Sequence, residues 1–463
     1  MSAEGLRAAT ERMVSEGIPE TAISVFTDFY GRLEGDATGY IPEDTIRPIE
    51  TPLHLSEVEA LVTDEQVRAA LDTTVMVKLN GGLGTSMGIA GPKSALLVRD
   101  GLTFLDIMAR QVLALRARHG VRTPLILMDS FRTSEASLAA LAAYPELAVD
   151  GLPLDFLQSA EPKLRVDDLM PVEWPTDPSL EWCPPGHGDV YVALQTSGLL
   201  HRLLDLGYRH LFLSNADNLG ATCDGVIPAW MSAHGVPYVA EVCERTRNDR
   251  KGGHLARRRT DGQLVLRDSA MVQPGEEHHF ADETRHAWFH ANNLWIDLAV
   301  LAERLAERNG VLGLPIIVNR KTVDPTRPDS TPVIQIESAM GAAVELFEGA
   351  RALAVPRSRF RPVKTTNELL LLRSDLYRLD ADSLVVSTVT GPEPFIDLAP
   401  VYRLIGDFEA RFPDGVPALR DCTSLVVEAD ATFGGGVVAR DTVRVLGPGP
   451  REIPAGSILQ GVV

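Results

Sequence analysis

Short apolar runs alternate with amphipathic segments through the middle of the chain. The apolar runs cover residues 75–79, 124–128 and 210–214, and each has the length of a buried strand. A segment with helical periodicity, residues 104–115, lies between the first two. Such alternation is typical of repeated βαβ units. The pattern predicts an α/β fold in which helices cover a mixed, mostly parallel sheet.

The two ends of the chain have different patterns. Residues 1–30 space apolar side chains among charges as a helix does, and a polar stretch with glycine and proline follows. After about residue 380, β-branched runs such as 443–446 are separated by glycines and prolines, which indicates short strands that could stack as a β-solenoid. We therefore expect a helical cap (1–50), a catalytic domain (51–380) and a β-solenoid domain (381–463).

Length and charge narrow the classes of function. At 463 residues the chain exceeds the usual size of a single core. Its net charge of −19 disfavours nucleic acid and acidic lipid as partners, because a negative surface repels polyanions. A site for anionic small molecules would need a local positive pocket made by lysines, backbone N–H groups and a metal ion.

The cysteines and the apolar runs bear on the compartment. The four cysteines are widely spaced and form no CxxC pair, so neither a zinc ribbon nor a dense disulfide framework is indicated. No apolar run reaches the ~18 residues of a membrane span, and the N-terminus lacks the pattern of an export signal. We expect a cytoplasmic protein with no membrane partner.

A glycine-rich loop follows the apolar run at residues 75–79. Gly81, Gly82 and Gly84 lack a Cβ, so the backbone can approach a phosphate closely, and Lys93 then supplies a positive charge. The spacing matches neither a P-loop nor the GxGxxG of dinucleotide-binding folds. The alternative is a structural turn that ends a strand, with Lys93 in solvent.

Other segments carry residues suited to phosphate and sugar chemistry. Asp217 follows the run 210–214 at the carboxyl end of a predicted strand, where ligands of parallel sheets bind, and a carboxylate there suits Mg²⁺. The alternative is an Asx-turn. His187 sits in a turn of prolines and glycines. Lysines and an asparagine in three further motifs are weaker candidates: Lys251, Asn293 and Lys364.

Taken together and in order, these segments resemble the eukaryotic-type UTP–glucose-1-phosphate uridylyltransferase family. The resemblance covers most of the chain, from about Met76 to Leu459. It rests on the segments LNGGLGTSMG…GPKS, PLILMDSF, PPGHGD, SNADNLGAT, KGGHL, NNLW, PRSRFRPVKTT and IPAGSIL.

The resemblance implies a sheet of the glycosyltransferase-A type, a C-terminal left-handed β-helix, and a Mg²⁺-dependent reaction of UTP with glucose 1-phosphate. It assigns Asp217 to the metal and nucleotide, His187 to the sugar phosphate and Asn293 to glucose. Phosphate contacts fall to Lys93, Lys251 and Lys364, with Lys93 and Lys364 as the catalytic pair. The remaining nucleotide contacts would come from Leu79, Asn80, Gly81, Gly82, Gln158, Gly186 and Asn215.

Two departures from the family pattern concern substrate preference. Ala90 stands where the family usually has lysine, and Cys183 where it usually has tyrosine. Family members also often extend beyond the position of Val463 with a segment used in assembly, so monomer and homo-oligomer both stay open.

The alternative functions are a pyrophosphorylase for N-acetylhexosamine 1-phosphate, an inactive nucleotide-sugar sensor and a nicotinamide dehydrogenase. Ser86 and Met87 follow the glycine loop where the hexosamine enzymes typically carry arginine. The presence of Lys93, Asp217 and Lys364 together disfavours a sensor. A dehydrogenase would need the GxGxxG spacing.

Overall fold

A computed structural model describes residues 2–35, 38–84, 87–89, 91–246, 249 and 252–463 of the chain. Within those ranges no helix is long and apolar enough to cross a bilayer. The α-helices are α1 (Ser2–Ser15), α2 (Glu20–Glu34), α3 (Leu55–Glu59), α4 (Asp64–Asp72), α5 (Phe104–His119), α6 (Ser134–Leu141), α7 (Val190–Thr196), α8 (Leu199–Asp205), α9 (Val226–His234), α10 (Glu277–Ala281), α11 (Leu298–Glu307), α12 (Thr366–Arg373) and α13 (Ile405–Arg411).

The β-strands occur throughout the chain and become the dominant element after α12. They are β1 (Ile46–Pro48), β2 (Leu53–His54), β3 (Thr74–Leu79), β4 (Leu97–Arg99), β5 (Leu102–Thr103), β6 (Leu125–Asp129), β7 (Asp155–Leu157), β8 (Glu161–Pro162), β9 (Leu164–Arg165), β10 (Trp182–Cys183), β11 (His210–Asn215), β12 (Tyr238–Glu244), β13 (Gly253–Arg258), β14 (Leu264–Asp268), β15 (Trp288–Asp297), β16 (Ile316–Thr322), β17 (Pro332–Ser338), β18 (Arg351–Ala354), β19 (Tyr377–Leu379), β20 (Val385–Ser387), β21 (Phe395–Leu398), β22 (Ala418–Val427), β23 (Ala431–Phe433), β24 (Val438–Val445), β25 (Arg451–Ile453) and β26 (Ile458–Val462).

The central sheet has the strand order β2-β18-β12-β15-β11-β3-β6-β7. Strands β11, β3, β6 and β7 run parallel, with Asn215 opposite Leu79 at the end of the β11–β3 pair. Strand β15 is antiparallel to both of its neighbours, β11 and β12. The predicted mostly parallel sheet is confirmed. Its carboxyl ends bring the loops after β3, β6, β7 and β11 to one edge.

Buried side chains fill both faces of this sheet. Phe212 and Trp295 stack with ring centroids 4.2 Å apart on one face, and Leu211 and Leu294 are buried on the other. The first core continues through α12 into the C-terminal strands, where Leu425 is fully buried. The catalytic and C-terminal parts therefore share one continuous hydrophobic core. The division at residues 50 and 380 stays a prediction.

The C-terminal strands stack in parallel. Strands β21, β22, β24 and β26 form one sheet and β23 and β25 another, and every pair in both is parallel. Ser424 lies beside Thr442, and Ala431 beside Arg451, so in these pairs the neighbouring strands are about 20 residues apart in sequence. Successive coils of a solenoid have this arrangement. The left-handed sense of the predicted β-helix stays a prediction.

The N-terminal helices pack as a separate small cluster. Phe26, Phe29 and Tyr30 of α2 are buried with Ile334 and Ile336 of β17. The break between α1 and α2 falls at Gly17, whose φ of +72° ends the first helix. The four cysteines are buried free thiols; the cytoplasmic location stays a prediction.

Candidate active site

A cleft of about 260 Å³ lies at the carboxyl edge of the central sheet. Segments that are far apart in the sequence line it: the end of β3, the loop after β7, the turn before α7 and the loop after β11. The lining residues are Leu79, Asn80, Gly81, Gly82, Lys93, Ser94, Met128, Gln158, Pro184, Gly186, His187, Asn215, Ala216 and Asp217. The structure thus gathers ten of the thirteen residues predicted from the sequence into one cavity wall.

The glycine loop is tied to β6 through Asn80. The Asn80 amide nitrogen donates to Asp129 Oδ1 at 2.7 Å and to Ser137 Oγ at 2.8 Å. Burial raises the pKa of Asp129 to about 6, while these hydrogen bonds favour its charged form. Since the Asn80 side chain is engaged beneath the loop, its contribution to a ligand would come from the backbone.

Gly81 and Gln158 lie in direct contact across the cleft wall. A Cβ on Gly81 would stand 2.4 Å from Gln158 Nε2, closer than any side chain tolerates. The Gln158 backbone is fixed by a hydrogen bond from its N–H to the Asp129 carbonyl at 2.8 Å. The glycine therefore makes room for an amide that can offer both donor and acceptor groups to a planar ligand.

His187 and Gly186 form the opposite wall. Gly186 has φ +81°, and a Cβ there would lie 2.6 Å from the Ser338 carbonyl oxygen, so only glycine fits this turn. His187 Nδ1 accepts a hydrogen bond from the Met340 N–H at 2.9 Å. Burial lowers the pKa of His187, with Asp268 opposing and Lys364 adding to the shift. A neutral ring whose Nδ1 is an acceptor carries its proton on Nε2, which can donate.

The loop after β11 supplies the carboxylate of the site. Asp217 Oδ2 accepts from Lys93 Nζ at 2.8 Å, and both side chains are about four-fifths buried. Asp217 Oδ1 is buried and has no hydrogen-bond donor among the described residues. Asn215, two positions earlier, accepts from the Asn292 amide at 3.2 Å. A carboxylate with one unused buried oxygen is suited to a cation.

Lys364 reaches the site from the segment before α12. The preceding N–H, of Val363, donates to the Asp217 carbonyl at 3.1 Å. Lys364 Nζ lies 3.4 Å from where a Cβ on Gly252 would stand. Burial is the main cause of the lowered pKa values of His187 and His290, and the positive charge of Lys364 lowers both further. Lys364 lines a neighbouring cavity of about 240 Å³ rather than the first cleft.

Lys251 and Asn293 are the other two predicted residues. Lys251 lies outside the described residues. Asn293 is fully buried, and its amide donates to Glu241 at 2.9 Å and to the Arg359 carbonyl at 3.2 Å. A contact between the Asn293 side chain and a ligand would require these bonds to break. Its role therefore stays a prediction that the surroundings disfavour.

Sequence reasoning missed three residues of this region: Asn292, Asn218 and Ser94. The strand β15 that carries Asn292 and Asn293 was not predicted. Its register against β12 shifts between His290 and Leu294, and Asn292 has φ +54°. At this irregularity the Asn292 amide donates to Asn215 while the Asn293 amide donates to buried Glu241, a separation that regular strand alternation would not have predicted.

The two departures from the family pattern are Ala90 and Cys183. Ala90 is outside the described residues. Cys183 is buried, with its Sγ 4.0 Å from Glu161 Oε1. Burial raises the pKa of the Cys183 thiol and that of the Glu161 carboxyl. Burial thus favours the neutral form of both groups.

Comparison with known proteins places this cleft in context. Residues 23–440 match the family described as UTP–glucose-1-phosphate uridylyltransferase. The enzyme of that name from Saccharomyces cerevisiae is 40% identical over 398 residues, covering 85% of this chain and 78% of its own. UTP–glucose-1-phosphate uridylyltransferase 2 of Dictyostelium discoideum is 37% identical, covering 90% and 82%.

Solved structures are similar over nearly the whole chain. The UDP-glucose phosphorylase of Trypanosoma brucei is 42% identical, with a TM-score of 0.94 and 99% of both chains covered. The UDP-glucose pyrophosphorylase of Leishmania major, solved in open and closed structures, is 39% identical, with a TM-score of 0.93 over 99% of both chains. A variant of that enzyme has been solved with UDP-glucose, and its TM-score is also 0.93.

Proposed function

The chain belongs to the UTP–glucose-1-phosphate uridylyltransferase family, and we propose that its cleft joins UTP to glucose 1-phosphate, giving UDP-glucose and pyrophosphate. The observation that carries this proposal is the meeting of the glycine loop, Gln158, His187 and the Lys93–Asp217 pair in one cavity. These residues come from separate motifs, and the chemistry needs all of them within reach of one nucleotide.

The nucleotide would lie along the glycine loop. Leu79, Asn80, Gly81 and Gly82 would border the uridine and its phosphates, with backbone N–H groups offered by the two glycines, since the Asn80 N–H already donates to the Met128 carbonyl at 2.8 Å. Gln158 and Gly186 line the same cleft and would bind the uracil, and Asn215, also in its wall, would contact the nucleotide. The relative from Leishmania major solved with UDP-glucose supports this assignment through its matching fold.

The reaction would be a direct displacement at phosphorus. A phosphate oxygen of glucose 1-phosphate attacks the α-phosphorus of UTP, the new P–O bond forms in line, and the bond to the β-phosphate oxygen breaks, so that pyrophosphate leaves with its electron pair. One phosphoanhydride replaces another of similar energy, and the reaction would run in both directions. The protein supplies positioning and positive charge.

Each cation has a proposed task. Lys93 would neutralise the departing pyrophosphate, Lys364 the charge around the α-phosphorus, and Lys251 would contact phosphate as well. The Nε2–H of His187 would donate to the sugar phosphate, and Asn293 is the predicted glucose contact. Each lysine in contact with the reacting phosphates would contribute about 3 kcal/mol to the transition state.

Asp217 fits a magnesium ion. Mg²⁺ is commonly held by one or two carboxylates, with waters and substrate phosphates completing the shell, and Asp217 Oδ1 is buried without a donor among the described residues. When bound, the ion would offset negative charge on the phosphates of the nucleotide. The chain's own part is to hold the carboxylate in place through Lys93 and the backbone of the 215–221 loop.

An assay of pyrophosphate release tests the function. The purified protein is incubated with Mg²⁺, UTP and either glucose 1-phosphate or N-acetylglucosamine 1-phosphate, and each of the other nucleoside triphosphates replaces UTP in turn. We expect release with UTP and glucose 1-phosphate. Preference for the N-acetyl sugar would support the hexosamine alternative, and no release with any pair would support the sensor.

A further inference from the structure

We propose that Asn218 is a positioning residue that fixes Lys364 relative to Asp217. Neither the motifs nor the cleft wall assigns Asn218 a role. The inference rests on the proposed roles of Lys364 and Asp217. These residues are 147 positions apart in the chain, and the reaction requires their side chains to be held in a fixed relative position.

Asn218 is buried, with 2% of its surface exposed, and its side-chain amide is fully used. The nitrogen donates to the Arg359 carbonyl at 3.1 Å and to Asn293 Oδ1 at 3.3 Å. The oxygen accepts from the Arg361 N–H at 2.8 Å and from the Gly220 N–H at 3.1 Å. An amide has two donor hydrogens and two acceptor lone pairs, so all four capacities are occupied.

These bonds join two loops. Gly220 belongs to the loop that carries Asp217, and Arg359 and Arg361 belong to the segment that leads to Lys364. Asn218 also forms an antiparallel bridge with Pro362, and the Val363 N–H donates to the Asp217 carbonyl. Lys364 is the next residue. The bonds of one side chain therefore set where the lysine segment meets the carboxylate loop.

The segment that leads to Lys364 is held in place by buried contacts. Arg359 makes two hydrogen bonds to Glu241, which is fully buried, and one to Asp224 at 2.7 Å. A Cβ on Gly220 would lie 2.3 Å from the Ser358 carbonyl oxygen, so the two backbones are in direct contact. Because the Asp217 loop and the segment leading to Lys364 are each held by other contacts, we expect a substitution at Asn218 to shift one relative to the other rather than to move them together.

Such a shift would act on the rate rather than on nucleotide binding. The Asn218 side chain contacts none of the residues proposed to bind the uracil, and its backbone N–H, which donates to the Asn215 carbonyl at 3.2 Å, is kept in any substitution of the side chain. Displacing a catalytic group by about 1 Å, in contrast, can lower a rate about 100-fold. We expect Asn218→Ala and Asn218→Asp to lower kcat about 30-fold and to change the KM for UTP less than threefold. The second variant keeps the size of the side chain and the oxygen that accepts from Arg361 and Gly220, and it replaces the donor nitrogen with an oxygen that repels the Arg359 carbonyl and Asn293 Oδ1. It serves if Asn218→Ala does not fold.

The experiment is a double-mutant cycle with Lys364→Ala. If Asn218 acts through Lys364, adding Asn218→Ala or Asn218→Asp to Lys364→Ala lowers kcat less than twofold further. The matched control is Thr123→Val, which removes a buried hydrogen bond from Thr123 Oγ1 to the Leu71 carbonyl, 2.9 Å long, at the opposite edge of the sheet. We expect its melting temperature to fall and its kcat to stay within twofold of the unmodified protein.

The outcomes separate this inference from the function it rests on. An inactive unmodified protein would overturn the proposed function. Normal turnover by Lys364→Ala would remove the role of that lysine and this inference with it. Where the unmodified protein is active and Lys364→Ala is impaired, two results would overturn the positioning role of Asn218 alone. One is a further 30-fold fall in kcat when an Asn218 substitution is added to Lys364→Ala. The other is a kcat of the single Asn218 variants within threefold of that of the unmodified protein.

Discussion

Lys93 Nζ lies 2.8 Å from Asp217 Oδ2, although the two residues are 124 positions apart in the chain. The pair places a positive and a negative group on one wall of the cleft, where a net charge of −19 would otherwise repel a nucleotide. Phosphate oxygens and the carboxylate compete for the same ammonium group. The position of the Lys93 side chain is therefore expected to depend on whether a nucleotide is bound.

Replacing Asp217 by asparagine should lower kcat about 100-fold, since the carboxylate is the proposed metal ligand and an amide binds Mg²⁺ weakly. The Mg²⁺ concentration for half-maximal activity should rise. Steady-state kinetics across a Mg²⁺ titration measures both quantities. Asp72→Asn removes the same charge from the exposed end of α4 and should change neither. Unaltered turnover by Asp217→Asn would contradict the assignment.

Replacing Gly81 by alanine should raise the KM for UTP about tenfold or more. The new methyl group would stand 2.4 Å from the present position of Gln158 Nε2, so the amide proposed to bind uracil must move. The control is Gly31→Ala in α2, where a Cβ meets nothing within 4 Å and alanine favours the helix. Equal KM values for the two variants would show that Gln158 does not bind the nucleotide.

His210 should make the protein less stable in acid. Burial lowers its pKa from 6.5 to about 4, so below pH 6.5 the unfolded chain binds a proton that the folded chain does not. Stability from this group is present above pH 6.5 and lost as pH falls toward 4, by about 2 kcal/mol between pH 7.5 and 5.

Urea unfolding at both pH values tests this expectation with His210→Gln. The glutamine cannot titrate, so the variant should lose about 2 kcal/mol less than the unmodified protein over that interval. Comparing the two proteins cancels the opposing contributions of buried acids, such as Asp189, whose pKa burial raises to about 6. An identical pH dependence in both would mean that His210 titrates normally.

Removing the Glu241 carboxylate should destabilise the fold by about 3 to 5 kcal/mol, because the buried Arg359 guanidinium loses two of its hydrogen bonds and keeps only Asp224 as a carboxylate partner. The indole N–H of Trp295, which donates to Glu241 at 2.8 Å, also loses its acceptor. Denaturation of Glu241→Ala, followed by circular dichroism, measures the change. Glu307→Ala breaks an exposed pair with Arg304 and should cost less than about 1 kcal/mol.

The parallel part of the sheet was predictable because its strands are buried on both faces. Residues 75–79 and 210–214 appear in the sequence as mainly apolar segments without the alternation of a half-exposed strand, and they correspond to β3 and β11. Strand β15 was not predicted, because His290, Asn292 and Asn293 interrupt its apolar pattern. Buried partners satisfy Asn293, and such long-range hydrogen bonds leave no local signal.

The site was predictable where the backbone itself limits the residue. Gly81 and Gly186 sit where a Cβ would collide, and Asp217 follows a strand end where ligands bind. The buried supports were not predictable. Asn218 and Glu241 act through contacts with residues more than 50 positions away, and nothing in their neighbours in sequence indicates those contacts.

The residues that line the cleft lie between positions 79 and 217 of the chain. Lys364, the last of the proposed catalytic and binding residues in the sequence, lines the neighbouring cavity. During synthesis the chain emerges from its N-terminus. A nascent chain ending near residue 200 would have the glycine loop but no Asp217, and one ending near 350 would lack Lys364. If the proposed roles of Asp217 and Lys364 hold, the enzyme becomes active only late in translation, and products truncated before Lys364 would be inactive.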